Sequence, residues 1–271
     1  MVIDVHTHCG DFCQWRPQVR EWVRSMNTDL SPFGDDGVLR REAFLAMMDS
    51  VGVDVAVVLA EVAPAVSGTV TTGETIEFCS GCERLIPFAS INVHLSKEPA
   101  RELEGYIERG CRGLKIHPVH QLFYPNDPRV YPLYEVAQSA GIPVMFHTGS
   151  SLFPGAKIKY GDPIYLDEVA VDFPRLEIVM SHGGRGFWYE KAAFLSRIRP
   201  NLYIDVCGLP SHRLLQLYPR LERDANKFLF GSDWPGGDMK RSLDGFLSLP
   251  ISDEAKEAIL FRNASRILGL D

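Results

Sequence analysis

The chain has 271 residues, 45% hydrophobic and 23% charged, an ordinary globular composition that excludes a disordered chain. Its 28 Lys and Arg against 35 Asp and Glu give a net charge of −7, and no like-charged run makes a basic stripe, so nucleic acid is not expected as a partner. At ~150 residues per domain, the length admits two small domains or one large barrel.

The chain opens MVIDVHTH, without a basic leader, and its apolar runs fall short of the ~20 residues that span a bilayer. These features predict a soluble, cytoplasmic protein with no membrane partner. The six cysteines, Cys9, Cys13, Cys79, Cys82, Cys111 and Cys207, are too sparse for a disulfide framework and are expected as free thiols.

The first predicted strand is VIDVH, residues 2–6. Residues 9–37 follow as a loop much longer than the usual connection of about 2 to 6 residues, which marks it as functional; it carries Trp15, Arg16, Arg20, Trp22 and Arg24. Seven further β-branched or apolar runs follow: VAVVLA (55–60), LIPFASINV (85–93), GLKIH (113–117), PVMFH (143–147), LEIVMSH (176–182), LYIDV (202–206) and FLFGSD (228–233). Between them lie helical patterns: LRREAFLAMMDSVG, TIEFCSGCERL, PARELEGYIERG, VYPLYEVAQSAG, PIYLDEVAVDFP, GFWYEKAAFLSRIRP and SHRLLQLYPRLERD. MKRSLDGFLSL reads as an extra short helix, and DEAKEAILFRNASRILG closes the chain. Several of these patterns stop at Gly or Pro.

Strands apolar on both faces that alternate with helices imply a parallel sheet covered by helices, and eight such units predict a closed (β/α)8 TIM barrel, one domain over residues 1–271. A doubly wound open sheet would want GxGxxG after an early strand. The glycine cluster Gly183, Gly184 and Gly186 follows the sixth run and lacks that spacing.

Active sites of such barrels sit at the carboxyl ends of the strands. His6 and His8 end strand one and, two residues apart, point to the same side. His147 ends strand five, His182 strand six and Asp233 strand eight; His117 ends strand four, with Lys115 two residues earlier. An isolated histidine is most simply a hydrogen-bonded core or rim residue. Four His and one Asp recurring at one end of different strands instead form the donor set that a borderline divalent ion such as zinc accepts.

DVHTH (4–8), GLKIHP (113–118), PVMFHTG (143–149), SHGG (181–184) and GSDWP (231–235), in that order, resemble the amidohydrolase superfamily. The likeness is to its amidohydrolase-2 branch, which includes aminocarboxymuconate semialdehyde decarboxylase, and the closing FRNASRILGL shares it. The resemblance covers nearly the whole chain except residues 9–37. It implies a barrel of the metal-dependent hydrolase type, with His6, His8, His147 and Asp233 as metal ligands and His182 as the acid/base residue. Two-metal members of the superfamily use a carbamylated lysine on strand four, about where Lys115 stands; the amidohydrolase-2 branch usually does not, so one divalent ion is expected. Zinc is the first choice, with Mn2+, Fe2+ or Co2+ compatible with the same donors.

Such a site activates water and polarises a carbonyl, which makes a hydrolase of a small carboxylate-bearing or cyclic amide, lactone or ester the first reading, with Asp233 taking the water's proton. The alternative is a nonoxidative decarboxylase of a small aromatic or muconate-like acid; a non-catalytic metal-binding barrel stands third. The lyase needs a cationic clamp, for which Arg is suited by its planar fork. Arg16, Arg20 and Arg185 are candidates, with Trp15, Trp22 and Trp188 as walls and His117 and Lys115 as further contacts, although each Arg or Trp also has a plain reading as a solvated or packing residue. Glu61 faces the site or caps a loop. His94, His120 and His212 have no evident partner and are read as surface or rim residues, and the Cys79/Cys82 pair, in a helical pattern with no second pair, is not read as a zinc knuckle. A small-molecule substrate is the expected partner, with a homodimer as one option.

Overall fold

The computed structural model describes residues 1–270. Eight strands form one parallel sheet: β1 (Ile3–His8), β2 (Val55–Leu59), β3 (Leu85–Ser90), β4 (Leu114–Ile116), β5 (Val144–Gly149), β6 (Ile178–Arg185), β7 (Leu202–Asp205) and β8 (Phe228–Leu229), paired in that sequential order. The sheet closes on itself through main-chain hydrogen bonds. Val5 N donates to Phe230 O at 3.0 Å, Asp233 N to His6 O at 2.9 Å and His8 N to Trp234 O at 2.9 Å. This is the expected barrel, with the eighth strand regular for only two residues. Beyond it the chain keeps bonding to β1 while Asp233 turns into the left-handed region, φ 65°.

Alternation along the strands sorts the core into two layers. Val57, Leu59, Ile86, Phe88, Met145, Val179, Tyr203 and Leu229 pack inside the barrel with Ala264, Ile267 and Leu268 of the last helix, which plugs the end opposite the site. Their neighbours Ala56, Val58, Leu114, Ile116, Phe146, Met180 and Ile204 face the helices. Strand β1 departs from strict alternation: its register against β2 slips between Asp4 and Thr7. The bulge lets Val5 face the interior below while His6 and His8 face it above.

Two helical expectations change. Residues 9–37 contain a short turn, Phe12–Gln14, and a helix, Pro17–Ser25. Pro17 is preset for the first helical position, and Val19, Trp22, Val23 and Met26, spaced at helical period, face inward. The pattern SHRLLQLYPRLERD forms only Ser211–Arg213 and Leu214–Leu217, because Pro219 cannot continue a helix. A small antiparallel hairpin, Glu61–Ala63 with Gly68–Val70, rises after β2, and Trp15 bridges to Gly68. Among the described residues no helix is long and apolar enough to cross a membrane, and all six cysteines are free.

Candidate active site

The carboxyl ends of the strands open into a cavity of about 440 Å3, lined by His6, His8, His117, His147, His182, Arg185 and Asp233, with Trp15 and Trp22 from the long connection. At its base, Asp233 Oδ1 lies 3.4 Å from His6 Nε2 and 3.5 Å from His8 Nε2. The His182 ring is centred 5.2 Å from that of His6, and the His147 ring 4.6 Å from that of His182.

His182 and Asp233 both hold left-handed backbone, φ 61° and 65°. For residues with a Cβ this is a strained conformation, at a cost of order 1–3 kcal/mol each, kept where surrounding bonds over-determine it. For Asp233 those are the paired bonds to β1. Glycines make room around it: a Cβ on Gly231 would lie 2.7 Å from Asp205 Oδ1 and 2.9 Å from His6 Cβ, and one on Gly208 would lie 2.9 Å from both Asp233 Oδ2 and Arg185 Nη1.

The protonation pattern suits a cation. Burial, reinforced by neighbouring positive groups, holds His6, His147 and His182 well below the ordinary imidazole range, so they are neutral. Burial opposes the charge of Asp233, but hydrogen bonding to His8 and the positive surroundings outweigh it and keep the carboxylate ionised. His6 Nδ1 donates to the buried Asp205 Oδ2 at 2.7 Å, which leaves the Nε2 lone pair for the cavity, the arrangement that orients metal-binding histidines. His147 Nδ1 is buried with no hydrogen-bond partner, while its Nε2 is 3.2 Å from Ser150 O. Neutral imidazoles and an ionised carboxylate are donors of the kind a divalent ion takes.

The four donors that lie within 4.8 Å of one another are those of His6, His182, Cys207 and Asp233, a grouping without His8 or His147. Cys207 Sγ, however, lies 3.0 Å and 3.1 Å from the Nδ1 atoms of His6 and His182. It does not line the cavity, and burial raises its pKa well above the usual thiol value. It packs behind the histidines as a neutral thiol. Asp205 and Cys207 are residues that the sequence reading missed, although LYIDVCG places them two apart at the end of β7.

Other expectations are redistributed. Lys115 is fully buried and does not line the cavity; its Nζ lies 3.1 Å from Ser181 Oγ and 3.4 Å from His6 Nε2. It supports the floor of the site and makes no wall for a substrate. Arg16 is exposed at the start of helix Pro17–Ser25 and points away, while Arg20 and Arg24 line a separate outer groove. Trp188 caps the helix after β6 outside the cavity. Of the arginines considered, Arg185 alone lines the cavity: Nη2 donates to Ser150 O at 3.2 Å, and among the described residues it makes no ion pair.

Contrary to the surface reading, His120 is buried in the cavity wall. Its ring stacks on His117 at 3.8 Å, and His117 stacks on His147 at 4.2 Å. His120 Nδ1 donates to Glu61 Oε1 at 3.0 Å, and Nε2 meets Ser151 Oγ at 2.8 Å. Glu61 faces the site and accepts a further short bond from Ser67. Burial works against its charge, but the bonds from His120 and Ser67 and the proximity of His8 hold it down to about 2.

Comparisons with known proteins agree with this architecture. Gamma-resorcylate decarboxylase of Polaromonas sp. (strain JS666) is 23% identical over 231 residues, 68% of this chain and 70% of that protein. An uncharacterized TIM-barrel protein from Bordetella bronchiseptica superposes with a TM-score of 0.83 at 27% identity, covering 99% of this chain and 98% of that one. A probable 2-pyrone-4,6-dicarboxylic acid hydrolase from Acinetobacter baumannii, with citric acid bound, shares the fold at TM-score 0.70 and 17% identity, with 99% of each chain covered. The model of the amidohydrolase family Amidohydro_2 matches residues 3–270, so the chain belongs to that family of metal-dependent hydrolases and decarboxylases.

Proposed function

We propose that the protein is a carboxy-lyase that removes carbon dioxide from a small aromatic or muconate-like acid, with one divalent cation held by His6, His8, His147 and Asp233. The observation that carries this reading is Arg185, a guanidinium with unused donors in the wall of the cavity that holds the metal-type donor set. The similarity to a decarboxylase over 68% of the chain weighs more than the hydrolase neighbour, whose 17% identity speaks for the fold alone. The order of the two sequence-based readings is therefore reversed.

When bound, the cation supplies a Lewis acid that draws electron density from substrate oxygens; zinc remains the first choice by donor type. Arg185 holds the carboxylate through its N–H fork. Trp15, Trp22 and Phe153 wall the cavity, hold a flat ring and exclude water. His182 Nδ1 donates to Cys207 O at 3.0 Å, which makes Nε2 the nitrogen that exchanges a proton with the cavity. The bond between the ring carbon and the carboxylate breaks, the electron pair stays on the carbon, and a proton from His182 Nε2 takes the place of the carbon dioxide. Burial and Arg185 disfavour imidazolium in the free site, so His182 relays a proton taken up with the substrate and does not store one beforehand.

The test offers zinc- or manganese-loaded protein a panel of hydroxybenzoic acids and a panel of lactones and amides. Carbon dioxide release from an acid is expected, whereas acid release from the second panel without carbon dioxide would restore the hydrolase reading.

A further inference from the structure

Strands β2 and β6 are four places apart in a closed barrel of eight, so they stand on opposite walls. Arg185 ends β6; Glu61 follows β2, and both line the same cavity. The cavity is therefore bipolar, with a guanidinium on one wall and a carboxylate on the other. Among the described residues the hydrogen bonds to Glu61 fall on one oxygen. His120 Nδ1 at 3.0 Å, the Ser67 hydroxyl and His117 Nε2 at 3.8 Å all meet Oε1. Among the described residues Oε2 has no donor, and it is not one of the sealed, unpartnered buried atoms. An ionised oxygen open to a cavity and unmet by the protein is an acceptor awaiting a donor on the ligand.

We infer that Glu61 is a specificity-determining residue that binds, through Oε2, a hydrogen-bond donor on the substrate, placed on the ring away from the carboxylate taken by Arg185. The inference rests on the proposed binding of an acid by Arg185 and narrows it: the substrate class is a ring acid bearing a hydroxyl or amino group, and a second carboxylate is rejected. The stack of His120 on His117 on His147 fixes the direction of the Glu61 carboxylate relative to the metal donors, which ties the donor's position on the ring to the reacting carbon.

The experiment measures binding of benzoate, 3- and 4-hydroxybenzoate, 3-(aminomethyl)benzoate and benzene-1,3-dicarboxylate to zinc-loaded protein by calorimetry. Acids with a donor in reach of Glu61 are expected to bind about 10- to 100-fold more tightly than benzoate, and the dicarboxylate most weakly. In Glu61→Gln the side-chain oxygen still serves His120 and Ser67, and an amide N–H replaces Oε2, so the dicarboxylate overtakes the donor-bearing acids. An unchanged order in Glu61→Gln, or no discrimination by the wild type, overturns the inference; if the variant does not fold, the wild-type order decides alone. Discrimination as expected without decarboxylation would keep Glu61 and remove the lyase reading, whereas decarboxylation with unchanged preferences in Glu61→Gln would do the reverse. A second tight equivalent of zinc, lost in Glu61→Gln, would mean that a cation takes Oε2 and would also overturn the inference.

Discussion

Asp205 is the buried residue through which the metal donors can be tested without touching a ligand. Its Oδ2 accepts from His6 Nδ1 at 2.7 Å and its Oδ1 from Cys207 N at 2.8 Å, so both oxygens are acceptors facing donors. Asn offers only one oxygen. In Asp205→Asn the amide N–H2 meets either Cys207 N–H, a donor facing a donor, or His6 Nδ1. The second option is relieved when His6 moves its proton to Nε2, and that proton occupies the lone pair needed for a metal. Loss of such an orienting carboxylate costs roughly 10- to 100-fold in metal affinity, about 1.4–2.7 kcal/mol. The fold should survive, because burial already pushes the Asp205 carboxyl up to about 6 and removing a buried charge spares its desolvation cost. The assay is competition for zinc against a chelator, with thermal unfolding of the metal-free protein as the control for folding. Zinc affinity within twofold of wild type in a folded Asp205→Asn protein would refute the claim that Asp205 orients His6 as a ligand.

Two further outcomes follow from the same geometry. His182→Asn should retain metal and lose turnover by about 100-fold or more, the scale of a removed proton donor; undiminished turnover would take His182 out of the mechanism. Iodoacetamide at pH 8 should modify the exposed Cys13 of the native protein first and the half-buried Cys82 more slowly. Burial pushes the Cys9 and Cys111 thiols up to about 12 and Cys79 higher still, so thiolate is scarce at these sites and they should label only on unfolding. Peptide mapping that finds Cys9 or Cys111 among the fast sites would contradict the packing described.

The barrel was legible because both of its periodicities are written in apolar residues: β-branched runs for strands, and Gly or Pro stops for helices. Less legible were places where one residue type serves two ends. Helix Pro17–Ser25 hides in the long connection because Arg16, Arg20 and Arg24 break its apolar stripe to the eye, while Val19, Trp22, Val23 and Met26 still form it. The same helix start turns Arg16 outward, which no count of arginines reveals. Within the site, His6, His8, His147, His182 and Asp233 could be found by reading strand ends. His120 could not, because it sits three residues past His117 in the turn of helix Pro118–Gln121, where helical spacing stacks one ring on the other. Asp205 obeyed the strand-end rule and was passed over because a lone carboxylate carries no pattern of its own. That Glu61 faces the cavity depends on the hairpin Glu61–Ala63 with Gly68–Val70, whose register brings Ser67 back to it, a tertiary fact with no local signature.

The central claim is that a cation at His6, His8, His147 and Asp233 and the Arg185 clamp together release carbon dioxide from a ring acid. Titrating zinc or manganese into metal-stripped protein, with the best-bound hydroxybenzoic acid present and carbon dioxide recorded, tests it most directly. Carbon dioxide release should rise with metal and level off at about one equivalent per chain, as expected for a four-donor site, and should be lost in Arg185→Gln. Release that is independent of metal, or a metal-loaded enzyme that liberates acid from lactones and no carbon dioxide from any acid, would contradict it.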